Sequence, residues 1–123
     1  MAVTSVSQAL SAIPGSLVLK RVLSDLFGSV RSGVRKYTAT LSPAIVAANT
    51  TAEQLFTVTG VKVNDVVVVN KPTAQAGLGI VGVRVSAANQ VGITFSNNTA
   101  AGITPTASEV YSFLVFTSTD LAS

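Results

Sequence analysis

The chain has 123 residues, a formal net charge of +3, and no cysteine or histidine, which excludes disulfides, Cys/His zinc sites, a thiol nucleophile and the commonest general base. The length fits one domain with an arm and is enough to bury a core. Only 11% of residues are charged, against about 25% in an ordinary soluble domain, so neighbours are expected to hide part of the surface in an assembly.

Residues 1–16, MAVTSVSQALSAIPGS, are small and mixed in polarity and read as an arm that is extended or ordered by a partner. Leu19, Val22, Leu23, Leu26 and Phe27 then recur at helical spacing, with Ser16 placed to cap the start and Gly28 the end. A short helix is expected there, with a strand as the rival because LVLKRVL is also a good β run. SVRSGVRK follows with three positive charges. Up to residue 40 the chain carries five basic residues against Asp25 alone; the remainder carries three basic against four acidic. The whole positive excess therefore sits in the N-terminal third.

From Tyr37 the pattern turns to β. KYTATLS alternates apolar and polar, AEQLFTVTG predicts a strand over residues 53–59, and a turn is expected at Val63 and Asn64 before a strand ending at Asn70. The run Val66 to Val69 is apolar on both faces, so that strand is expected to be central or covered on both sides. GIVGVRVSAANQVGITFSN is the clearest hairpin. Val81, Val83 and Val85 alternate on one arm and Val91, Ile93 and Phe95 on the other, with Asn89 suited to a positive φ in the turn. EVYSFLVFT, residues 109–117, is the last strand. The spacing predicts an all-β fold: a jelly-roll-like antiparallel β-sandwich of roughly six or seven strands over residues 37–123, preceded by an arm over residues 1–36.

GLGIVG, residues 77–82, matches the dinucleotide pattern G-x-G-x-x-G. That motif needs a strand just before it, a helix just after it and an acid about 20 residues on. Here KPTAQA separates it from the preceding strand, a strand pattern follows, and no acid lies between Gly82 and Glu109. The glycines read instead as a bend or close packing in a β-protein. Glu53 and Asp65 as a catalytic or metal pair, and a Ser–Lys dyad, are weaker than the reading of solvated turn and edge charges. The sequons at Asn49 and Asn97 read as chance, since no secretory signal is evident and the first positive charge, Lys20, follows the apolar residues. No 18-residue apolar run suggests a membrane span. No catalytic, cofactor or metal site is expected.

The basic segment has two readings. Nucleic-acid binding lacks aromatic interleaving before Tyr37 and any known motif. Docking on an acidic protein surface fits better, with Lys20, Arg21, Arg31, Arg35 and Lys36 steering and Leu19, Leu23, Leu26 and Phe27 buried on contact.

The block VNDVVVVNKPTAQAGLGIVGVRVSAANQVGITFSNNTAAGITPTASEVYSFLVF, residues 63–116, resembles a β-sandwich domain of small structural proteins of tailed bacteriophages, among them head decoration, minor capsid and fibre-associated proteins. Asn64 stands where that pattern usually has Gly, and still suits a turn. The likeness is one of strand and turn positions over a little under half the chain, and it stops short of residues 1–36. It implies a decoration, or cement, protein on the capsid exterior, assembled in the host cytoplasm. The implied partners are the major capsid protein and further copies of the chain in a homotrimer, with the arm gripping the shell and the sandwich facing solvent. No cofactor, small-molecule substrate or membrane is implied, and nucleic acid is not an expected partner. One alternative is a fibre, tail or baseplate module, present in few copies per particle. Another is a carbohydrate-binding sandwich, which would want exposed rings for stacking. The chain has no Trp, and Phe56, Phe95, Phe113 and Phe116 sit in strand patterns that suit a core.

Overall fold

The computed structural model describes Val22 and residues 33–117. The chain divides into two compact units, Met1–Ser32 and Gly33–Ser123. Apart from Val22, the expected helix lies outside the described residues, as do Leu19, Lys20, Arg21, Leu23, Leu26, Phe27 and Arg31.

Among the described residues there are six strands: β1 (Val34–Leu41), β2 (Thr50–Thr57), β3 (Val66–Asn70), β4 (Leu78–Ala87), β5 (Gln90–Asn97) and β6 (Glu109–Phe116). They form two antiparallel three-stranded sheets, one in the order β1-β6-β3 and the other β2-β5-β4. The sheet begins at Val34, so Arg35 and Lys36, assigned to the arm by the charge pattern, are residues of β1.

Strand starts are marked by residues that tolerate left-handed backbone. Asn49 (φ 51°), Gly77 (φ 80°), Asn89 (φ 62°) and Ser108 (φ 56°) each stand directly before a strand, and Asn64 (φ 78°) stands two residues before β3. The short polar side chain of Asn makes this conformation affordable outside glycine. The Asn64 turn is closed by Lys62 and Asp65: each backbone N–H reaches the other residue, Lys62 N to the Asp65 carboxylate at 3.0 Å and Asp65 N to the Lys62 carbonyl at 3.1 Å.

The centre of each sheet supplies the core. Val91, Ile93 and Phe95 on β5, and Tyr111, Phe113 and Val115 on β6, are all fully buried. They belong to one cluster that also takes Leu41, Val67 and Val85 from the flanking strands and Val46, Val58 and Val61 from the loops. The alternation predicted for β5 thus holds throughout. On β4 it is interrupted. Ile80 pairs with Phe95 and Gly82 with Thr94, leaving Val81 as the extra residue of a bulge. The bulge turns Val81 outward to 64% exposure while Val83 and Val85 keep their inward places. This corrects the single-face reading of Val81, Val83 and Val85.

The loops at the two ends are pinned mainly by amide side chains. At one end Asn97, almost fully buried, donates to the carbonyls of Val46 (3.0 Å) and Ala101 (2.8 Å) and accepts from Thr99 N. Burial of this amide agrees with the reading of its sequon as chance. At the other end Asn89 accepts from Gly60 N and donates its own N–H to Val61. Gly33 and Thr117, flanking β1 and β6, join at this second end through a 2.9 Å bond from Thr117 N to the Gly33 carbonyl.

Candidate interaction surface

The outward side chains of β1-β6-β3 follow from the register. Val34, Phe116 and Val66 form one row across the three strands; Lys36, Leu114 and Val68 form the next; Thr38, Ser112 and Asn70 the third; Thr40 and Val110 the last. The first two rows carry five apolar side chains and one charge. Val66, Val68, Leu114 and Val110 are 59%, 54%, 40% and 53% exposed, and Val34 and Phe116 are half-buried. Apolar side chains scattered singly are ordinary on a surface, whereas two adjacent apolar rows across three strands form a contiguous patch, the kind of feature that makes a candidate interaction surface.

This arrangement corrects one expectation. The run Val66 to Val69 was expected in a central strand or one covered on both sides. Instead β3 lies at a sheet edge, with Val67 buried and Val66 and Val68 on the open face. Of the predicted docking residues, the described part holds Arg35 and Lys36, both exposed, and Lys36 stands in the second apolar row.

The opposite sheet is finished differently. Outward on β2-β5-β4 are Thr51, Glu53, Leu55 and Thr57, then Thr94 and Ser96 on the central strand. Arg84 on β4 reaches Glu53 on β2 with two bonds, Nε to Oε2 at 2.7 Å and Nη2 to Oε1 at 2.8 Å. The pair crosses over β5 at Gly92, where a Cβ would collide with the Glu53 carboxylate. Arg84 holds the Glu53 carboxyl below its ordinary range by hydrogen bond and charge. Glu53 is thereby committed to an ion pair, and Asp65 to the turn before β3; they do not meet as a catalytic pair.

GLGIVG follows the β-protein reading. Gly77 takes the left-handed turn before β4, and a Cβ there would collide with Thr99. Gly82 closes the bulge, and β4 continues as a strand where a nucleotide fold needs a helix.

A polar group around the buried Glu109 carboxylate joins the start of β6 to the loop after β3. Thr73 Oγ1 donates to Glu109 Oε2 at 2.5 Å, and Lys71 Nζ lies 2.9 Å from Glu109 Oε1. The Thr73 hydroxyl and then the Lys71 ammonium hold the Glu109 carboxyl below the usual glutamate range against the opposing effect of burial. Burial, and then the Glu109 charge, push the Tyr111 phenol up to about 12. A cleft of about 240 Å³ beside this group is lined by Val69, Lys71, Thr73, Gln75, Leu78 and Ile80. Its lysine is bonded to Thr73 and Glu109, and its glutamine to Thr104 O and Thr106 N. These groups hold the loops together.

Compared with known proteins, the chain matches no family model, no curated protein and no solved structure.

Proposed function

We propose that the chain is a virion structural protein that decorates a bacteriophage capsid and stabilises the shell by bridging capsid subunits. The observation that carries this reading is the apolar outer face of β1-β6-β3, with Val34, Phe116, Val66, Leu114 and Val68 in adjacent rows. The low charge content and the resemblance over residues 63–116 support it. In this reading the major capsid protein covers that face, with an acidic group opposite Lys36, and the basic segment with Lys20, Arg21 and Arg31 adds attraction. The β2-β5-β4 face is left to solvent.

The fold suits the role. We infer that the sheets stack as a sandwich, since one core cluster takes residues from both. Every connection except the β4–β5 turn passes from one sheet to the other, and the orders 1-6-3 and 2-5-4 are those of a wound ribbon of the jelly-roll kind. Stabilisation of the shell is a linkage effect. A protein that binds only the intact shell deepens that state by its binding free energy, and several modest contacts add through avidity. The test is to heat capsids with and without the protein at low salt. The reading expects decorated shells to open at higher temperature; equal opening temperatures would refute it.

A further inference from the structure

The two sheets leave four strand edges open among the described residues: β1 and β3 in one sheet, β2 and β4 in the other. An open edge presents unpaired N–H and C=O groups, and proteins guard such edges with charges, prolines or bulges. Three of the four are guarded. β1 carries Arg35 and Lys36, and β2 carries Glu53. β4 carries Arg84 and two breaks in register, at Ile80/Gly82 and Val85/Ala87. β3 reads VVVVN, with no charge, no proline and no bulge. On its outer side Val66 and Val68 are exposed. Between β3 and β4 lies a groove lined by Val67, Val68, Val69, Ile80, Val81 and Val83.

We infer that β3 pairs edge to edge, antiparallel, with β3 of a second copy of this chain. The inference rests on reading the chain as a structural protein that self-associates, and it specifies the contact. Charge selects the occupant. Pairing with β1, β2 or β4 of another copy would lay valines against Arg35 and Lys36, Glu53 or Arg84, whereas β3 against β3 brings no charge into the paired strands and leaves residues of opposite sign, Asp65 and Lys71, at their ends. Register follows from the pleat. A one-residue slip would turn inner side chains outward. A pairing that keeps the inner faces together and overlaps all five residues of both strands sets Val68 against Val68 and Val67 against Val69. The product is a continuous six-stranded sheet, β1-β6-β3-β3-β6-β1, with the apolar rows of both copies on one side. That doubles the face assigned above to the shell. The contact is twofold and closes as a dimer, in place of the trimer implied by the resemblance.

The chain has no cysteine, so one introduced thiol reports the contact without background. Directly opposed residues of an antiparallel pair place their Cβ atoms about 4.5–5.5 Å apart, near the separation a disulfide needs. The full-length Val68→Cys protein, mildly oxidised, is expected to form covalent dimers at least about tenfold faster than Ile45→Cys, whose side chain is equally open but lies in a loop. The wild-type chain is expected to sediment as a dimer, and Val68→Lys as a folded monomer by circular dichroism. A wild-type trimer or monomer, or cross-linking no faster at residue 68 than at residue 45, overturns the inference. Should Val68→Lys fail to fold, the cysteine comparison still decides. The proposed function fails separately, through the heat resistance of capsids, and pairing of β3 in solution stands or falls without it.

Discussion

The outer face of β2-β5-β4 carries Thr51, Glu53, Thr57, Thr94 and Ser96 with Leu55 and Val81 among them, whereas that of β1-β6-β3 gathers Val34, Phe116, Val66, Leu114 and Val68 into two adjacent rows, with Lys36 at the end of one and Thr38, Ser112, Asn70 and Thr40 beyond them. Inside, the sheets are equivalent: each sends three fully buried side chains from its central strand into one core. Outside, one is suited to water, with Leu55 and Val81 as its exposed apolar residues and an ion pair crossing its middle. The other carries two adjacent, mainly apolar rows on the side where the described residues provide no cover, with polar side chains in the rows beyond. The difference teaches that the exposed apolar side chains are not spread evenly. They gather in two adjacent rows of one face and along the edge strand β3, which gives the folded unit a direction.

The largest expected effect tests the sameness of the interiors. Phe113→Ala and Phe95→Ala are each expected to cost about 3–5 kcal/mol by thermal unfolding, because each leaves a cavity in a shared core. A large loss from one and almost none from the other would mean that the sheets are not stabilised together. The next tests the difference of the exteriors. Leu114→Lys is expected to weaken shell binding about thirtyfold, the effect of removing one strong interface residue. Thr94→Lys, central on the opposite sheet, is expected to leave binding unchanged, and both melting temperatures should stay close to wild type. Equal losses from the two substitutions would remove the distinction between faces.

A third prediction concerns acid. The Glu109 carboxyl is held below its ordinary range in the folded protein, so its contribution to stability is fully present above the unfolded value. That contribution is lost as pH falls through the lower folded value, below about pH 4. Melting temperature measured from pH 7 downward should fall in that acid range, and Glu109→Gln should start lower and lose less there. A Glu109→Gln protein with the same acid slope as wild type would show that another carboxylate is responsible. The smallest effect is at the exposed pair: Arg84→Gln should change the melting temperature little, and what change there is should fade in high salt.

Much of the fold was legible because the residues that decide it act locally. Asn64 and Asn89 announce their turns, and β5 alternates without a fault from Val91 to Phe95. The bulge at Val81 was not legible, since the alternation Val81, Val83, Val85 reads as an unbroken strand and only pairing with β5 reveals the extra residue. The candidate surface was missed for a different reason. Residues 110, 114 and 116 are apolar on β6 between the buried Tyr111, Phe113 and Val115, so the strand reads as apolar on both faces, as does β3. In sequence such a strand looks internal. Which of its faces stays open depends on which strands lie beside it, a long-range property that attention to the charged arm could not supply.

The measurement that bears most directly on the directed unit is a cryo-electron microscopy reconstruction of capsids incubated with the full chain. The account predicts density with the β1-β6-β3 face, Leu114 and Val68 included, against the shell, and the Glu53–Arg84 face toward solvent. Density in the reverse orientation, or shells that remain bare, would contradict it.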